Sequence, residues 1–132
     1  MNVAQLLAAL LHLFEACRLA AYLDTGRVWT IGWGHTAGVK EGDTCTAAQA
    51  DAWLAEDGQP LLDLVKTEPL VAAAAWASFG YNEGYHTLKD ALAGKFDIRT
   101  RVHDHLGHEL AGLVKRRALE WALIESVSMK SA

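Results

Sequence analysis

Cysteine is scarce in this sequence: Cys17 and Cys45 are the only two in 132 residues. That excludes a disulfide scaffold, and no C-x-x-C pair is present to suggest a redox or zinc motif. Two readings stay open: a pair of reduced thiols, or one Cys17–Cys45 bridge of the kind small proteins form in oxidising compartments. Long apolar runs are also missing. Residues 3–16 are mostly apolar, but Gln5 and His12 interrupt them, and the stretch falls short of the ~20 residues that span a bilayer. No basic segment or small-residue cleavage site precedes it. The expectation is a soluble chain with no export signal and no stable membrane insertion. Positive charge is not in surplus either: the formal net charge is −4. A dedicated nucleic-acid binder needs clustered Lys and Arg to release counterions, so nucleic acid is not an expected partner. Lys115-Arg116-Arg117 is the obvious local cationic cluster.

What is present suffices for a packed core: 52% of residues are hydrophobic and 21% charged, ordinary for one soluble domain. Asn2 can cap a first helix whose leucines recur at helical spacing and which ends near residues 15–19. Five of the eleven glycines fall between residues 26 and 42. Around them Tyr22, Val28, Trp29, Thr30 and Ile31 favour strands, which predicts a small antiparallel sheet. Thr46-Ala47-Ala48-Gln49 is a capping-box signature, with Ala50, Trp53 and Leu54 on the helix's apolar face. Gly58 and Pro60 are expected to break or bend that helix. Residues 69–79 are apolar nearly all round, the mark of a central buried helix. A short helix over residues 87–93 ends at Gly94, and residues 95–112 carry no clear pattern. A last helix spans about residues 113–127, with Val114, Ala118, Trp121, Ala122 and Leu123 inward. The fold class is α+β, mostly helical with one small antiparallel sheet near the N-terminus. One domain, 1–132, is expected. A small β-containing lobe (about 17–58) faces a helical lobe (1–16 and 59–132) across a cleft.

Candidate chemistry starts with carboxylates. Glu15 ends an apolar helix, Asp24 lies nine residues on, and Thr30 six further. Glycoside cleavage requires one protonated carboxyl and one ionised group that handles water. Glu15, after Leu13 and Phe14, has the drier setting; Asp24, beside Thr25 and Gly26, the wetter one. On spacing alone such a pair is commonplace.

The surrounding residues are not commonplace. The string Phe14-Glu15-x-Cys17-Arg18-Leu19-x-x-Tyr22-x-Asp24-x-x-x-x-Trp29-Thr30-Ile31-Gly32-x-Gly34-His35-Thr36 resembles the phage lysozymes of the T-even type. So do Gly42-Asp43-Thr44, Ser78-Phe79-Gly80-Tyr81-Asn82-Glu83-Gly84 and Gly112-Leu113-Val114-Lys115-Arg116-Arg117-Ala118-Leu119-Glu120. The resemblance implies a muramidase that cuts peptidoglycan glycan strands at the β-1,4 bond after N-acetylmuramic acid, with inversion. Glu15 would be the general acid, and Asp24 with Thr30 would place the attacking water. Gly34, Thr36, Tyr81 and Asn82 match positions that bind glycan, although Tyr81 and Asn82 read equally as a helix end packed in the core. Gly34, with Gly32, would let the backbone approach a sugar. His35 would support the fold through a carboxylate. Arg116 and Arg117 would pair with Glu15 or touch substrate, or else complement a solvated helix face.

The resemblance further implies a monomer without cofactor or metal. It would be an endolysin that waits in the host bacterial cytoplasm until a separate pore releases it to the wall. A bacterial wall-remodelling or antagonistic muramidase, and a non-catalytic wall-binding module, are the alternatives. The sequence departs from the family at Ala16, where glycine is usual, and after Gly84, where it is shorter. It departs again over residues 97–112, where His103, Asp104, His105, His108 and Glu109 suggest a polar loop or, failing that, zinc ligands.

Overall fold

A computed structural model describes residues 1–131. Helix α1 (Val3–Phe14) begins at a reciprocal cap: Gln5 N donates to the Asn2 side chain at 2.8 Å, and Asn2 N donates to the Gln5 side chain at 2.9 Å. This satisfies two amide donors that a helix start otherwise leaves open. The helix buries Leu7, Leu10 and Leu11 and stops at Glu15, whose backbone turns extended. Strands β1 (Arg18–Leu23) and β2 (Trp29–Gly32) then pair antiparallel, with Tyr22 opposite Thr30 and Leu23 opposite Trp29. Thr44 adds a single rung against Ala20.

Helix α2 (Ala47–Leu64) starts under the Thr46 cap and runs through Gly58 and Pro60, so of the expected break or bend the break does not occur. Packing overrides local preference here. Leu54, Gly58, Leu61 and Leu62 are all buried along one face. A Cβ at position 58 would come within 3.2 Å of the Leu7 side chain, so glycine lets α1 approach. Burying each leucine contributes about 1.5–3 kcal/mol, enough together to offset the roughly 3 kcal/mol that proline costs inside a helix.

Helix α3 (Leu70–Glu83) is the central element, touching α1, α2, α4 (Tyr85–Leu92) and α5 (Ala111–Ser131). Ala72, Ala73, Ala74, Ala75, Ala77 and Ser78 are buried around it, and side chains that small admit neighbours on every side. Between α4 and α5 lie a 3-10 turn (Ile98–Thr100) and a short antiparallel rung between His103 and Glu109. The latter turn is organised by Asp104, whose Oδ1 accepts from the amides of Leu106 and His108 at 2.9 Å each.

The inward face of α5 differs from the hydropathy reading. Val114, Ala118 and Ala122 are exposed. Arg116, Arg117 and Glu120 are buried instead, with 4%, 1% and 0% of their surface accessible. Charges occupy this interface because they neutralise one another and cap partners from other elements, the condition under which buried ions persist.

Candidate active site

Glu15 sits where α1 gives way to β1, so a rigid helix end aims its carboxyl. Arg116 Nη1 donates to Glu15 Oε1 at 2.7 Å. Among the described residues the other oxygen, Oε2, has no partner. Arg116 is itself held. Its Nε donates to Glu120 Oε2 at 3.2 Å, its Nη2 donates to the Ser78 carbonyl at 2.8 Å, and its guanidinium lies 4.8 Å over the Phe14 ring. Glu120 also accepts from Ser78 Oγ at 2.6 Å and from Arg117 Nη1 at 2.7 Å. Arg117 then reaches Glu83 at 2.9 Å, the Arg101 carbonyl at 2.9 Å, and the Asn82 side-chain oxygen. A charge fixed from so many directions is preorganised, and so is the carboxylate it holds. The solvated-face reading of Arg116 and Arg117 is therefore overturned.

Asp24 and Thr30 converge on the backbone of one residue, Val28, in the turn that joins β1 to β2. Asp24 Oδ1 accepts from the Val28 amide at 2.8 Å, and Thr30 Oγ1 donates to the Val28 carbonyl at 2.9 Å. The backbone closes the same turn, with Asp24 N donating to the Val28 carbonyl at 3.0 Å. Arg27 adopts a left-handed conformation there (φ 62°). Because the Thr30 hydroxyl spends its proton on Val28, its lone pairs remain to accept from a water. Tyr22, opposite Thr30, feels both carboxylates. Burial pushes its phenol up, Arg18 opposes, and Glu15 and Asp24 each push it further. Arg18 lies 4.3 Å over that ring.

Beyond β2 the chain carries Trp33, Gly34, His35 and Thr36. His35 is buried; its Nδ1 lies 2.7 Å from Asp57 Oδ2, and its ring stacks on Trp53 at 4.5 Å. Tyr81 donates its hydroxyl to the Trp33 carbonyl at 2.9 Å. Burial, then the charges of Asp57 and Glu15, push its phenol far above the ordinary range against the pull of Arg116. Gly34 (φ 100°), Thr36, Asp57, Tyr81 and Tyr85 line a hollow of about 270 Å³. Asn82 turns toward Arg117 instead.

Cys17 and Cys45 are free thiols, the first of the two readings left open by the sequence. Cys45 N donates to the Leu19 carbonyl at 2.9 Å beside the Ala20–Thr44 rung. These backbone bonds hold the two segments together without the covalent link. Burial pushes the Cys17 thiol up, and Cys45 and Asp51 add to it.

The sequence matches the phage lysozyme family over residues 12–120. The chain belongs to the phage lysozyme family. Membership makes it a lysozyme-type glycoside hydrolase. An endolysin of Acyrthosiphon pisum secondary endosymbiont phage 1 is 30% identical over 96% of this chain and 99% of its own length. A longer endolysin of Lactococcus phage c2 is 48% identical over 91% of this chain, which spans 58% of that relative. Among solved structures, the muramidase domain of SpmX from Asticaccaulis excentricus superposes with a TM-score of 0.74. It is 28% identical and covers 89% of this chain and 93% of its own. The active form of P1 phage endolysin Lyz shares the fold at 24% identity, with a TM-score of 0.73 over 92% of this chain and 84% of its own.

Several lysozyme side chains in this network have partners that the linear sequence does not announce. Ser78 and Glu83 are 38 and 34 residues from the arginines they meet, and Asp57 is 22 from His35. Glu120 is the exception: its i,i+4 and i,i+3 spacing from Arg116 and Arg117 is readable as helical ion pairs.

Proposed function

We propose that this lysozyme hydrolyses the β-1,4 bond after N-acetylmuramic acid in peptidoglycan with inversion at the anomeric carbon, and that it acts as an endolysin. The observation that carries the proposal is the contrast between the two sides of the site. Glu15 is held through one oxygen by a fixed arginine. Asp24 and Thr30 are locked onto the Val28 backbone with hydroxyl lone pairs to spare.

In the reaction, Glu15 carries its proton on Oε2 and delivers it to the glycosidic oxygen as the bond to the anomeric carbon breaks. A water accepted by Asp24 and Thr30 attacks that carbon from the opposite face and loses a proton to Asp24. Solvent then returns the proton from Asp24 to Glu15. Gly34, Thr36 and Tyr81 line the hollow next to this centre and bind the glycan. No described helix is long and apolar enough to cross a membrane, which is compatible with delivery to the wall through a separate pore.

Glu15→Gln tests the assignment. Arg116 keeps Glu120 and the Ser78 carbonyl, so the thermal melt should stay close to wild type. Release of reducing sugar from purified walls should fall by roughly 10²–10⁴-fold, the typical contribution of a general acid. Wild-type protein that binds walls but releases no sugar would overturn the enzymatic reading. The product's first-formed anomer, followed by NMR, decides inversion.

A further inference from the structure

We propose that Trp33 is a positioning residue, held between His12 and Asp51, that sets the separation of Glu15 from Thr30 and Asp24. The inference rests on the assignment of those three residues above. Trp33 follows β2 directly, between Gly32 and Gly34. Its indole stacks on the His12 ring, with centroids 4.1 Å apart and planes 17° off parallel. Its Nε1 donates to Asp51 Oδ1 at 2.9 Å, and its carbonyl accepts from the Tyr81 hydroxyl at 2.9 Å. His12 Nε2 lies 3.9 Å from the same Asp51 oxygen, which closes the triangle. One residue is thus tied to α1, α2 and α3 together.

The positions along the chain give this arrangement its meaning. His12 stands three residues before Glu15, and Trp33 three residues after Thr30. The stack therefore joins the two backbone segments that carry the acid and the water-holding hydroxyl. Among the described residues, it is the one ring contact or side-chain hydrogen bond between α1 and residues 29–36. Asp24 follows Thr30, because both grip the backbone of Val28, one at its amide and one at its carbonyl. Burial is not what this triangle supplies: the side chains of His12 and Asp51 are 47% and 62% exposed. What it supplies is a fixed distance. Inversion needs carboxyls roughly 6.5–9.5 Å apart so that one water fits between them, and a misplacement of about 1 Å can cost on the order of 10²-fold in rate.

The test is steady-state kinetics on soluble wall-glycan oligomers, well below each variant's melting temperature. The exposure of His12 and Asp51 lets both be truncated without opening a core cavity. His12→Ala should lower kcat about tenfold while KM stays within about twofold, because the glycan-facing hollow is left intact. His12→Phe restores a flat ring and should recover most of kcat. Asp51→Ala should lower kcat several-fold, and Asp51→Asn, which keeps an acceptor for the indole, should not. Wild-type kcat in His12→Ala alongside an inactive Glu15→Gln would overturn the positioning role and leave the site assignment standing. A loss in His12→Ala that His12→Phe does not rescue would overturn it too. An active Glu15→Gln would remove the foundation itself.

Discussion

Arg116 and Glu15 lie 101 residues apart in sequence and 2.7 Å apart in space. The bond joins the first helix to the last, and it does so at the carboxyl on which the proposed chemistry depends. Behind it Glu120, fully buried, holds both Arg116 and Arg117. The cation that orients Glu15 is therefore oriented by a second anion.

Removing that second anion should be severe. Glu120→Ala leaves two buried guanidinium groups short of a partner, which typically costs about 3–5 kcal/mol. Urea unfolding should show the loss, and wall hydrolysis should fall with it. Lys95→Ala breaks a pair whose side chains are 65% and 50% exposed and should change stability by about 0–1 kcal/mol.

Gly80 predicts an effect opposite to helix propensity. Alanine is the better helix former by about 1 kcal/mol. A Cβ at position 80 would lie 2.7 Å from Leu88 Cδ2 and 3.0 Å from Leu61 Cδ2. Overpacking of this kind costs about 1–3 kcal/mol, so Gly80→Ala should lower the urea midpoint. A higher midpoint would mean that α4 yields more readily than its packing implies.

The turn over residues 102–110 should loosen in acid. Hydrogen bonding from the His108 amide, against a desolvation penalty and aided by the Leu106 amide, holds the Asp104 carboxyl below its ordinary 3.8. A depressed folded value means stabilisation that is present above the unfolded value and is lost as pH falls through the folded one. Amide exchange at Leu106 and His108 should be protected at about pH 5 and should lose that protection, rising toward the intrinsic rate, below the usual aspartate range. Asp104→Asn should already exchange faster at the higher pH.

Cys17 should be a slow thiol. Its raised value leaves less thiolate at neutral pH, and the thiolate is the nucleophile. Alkylation followed by mass spectrometry should find two labels without reductant, with Cys17 modified more slowly than a free cysteine.

Much of the fold could be read from local pattern. The Asn2 cap with its leucine spacing, the glycine-rich strands and the alanine-rich central helix are each properties of neighbours along the chain. Helix α2 was misread at Gly58 and Pro60 because the leucines that outweigh the proline do so through α1 and α3, at a distance in sequence. The face of α5 was misread for a different reason. Hydropathy assigns Arg116, Arg117 and Glu120 to water, and nothing local says that Ser78, Asn82 and Glu83 will meet them; the pairing with Glu15 was legible only through the resemblance. The spacing of Glu15, Asp24 and Thr30 was visible only through the wider string around it. The Val28 backbone that binds Asp24 to Thr30, and the indole of Trp33 between His12 and Asp51, join residues by contacts that no local pattern announces.

The order of the elements also dictates when a working centre exists during synthesis. Glu15 and Thr30 leave the ribosome early, whereas Arg116 and Glu120 sit in α5, after every other described element. Chains emerge and fold from the N-terminus onward. Until α5 has been made, Glu15 has no guanidinium to hold it and Ser78 has no carboxylate to bond. A partly translated chain thus carries the acid without its tether, and the centre assembles only once the last helix docks.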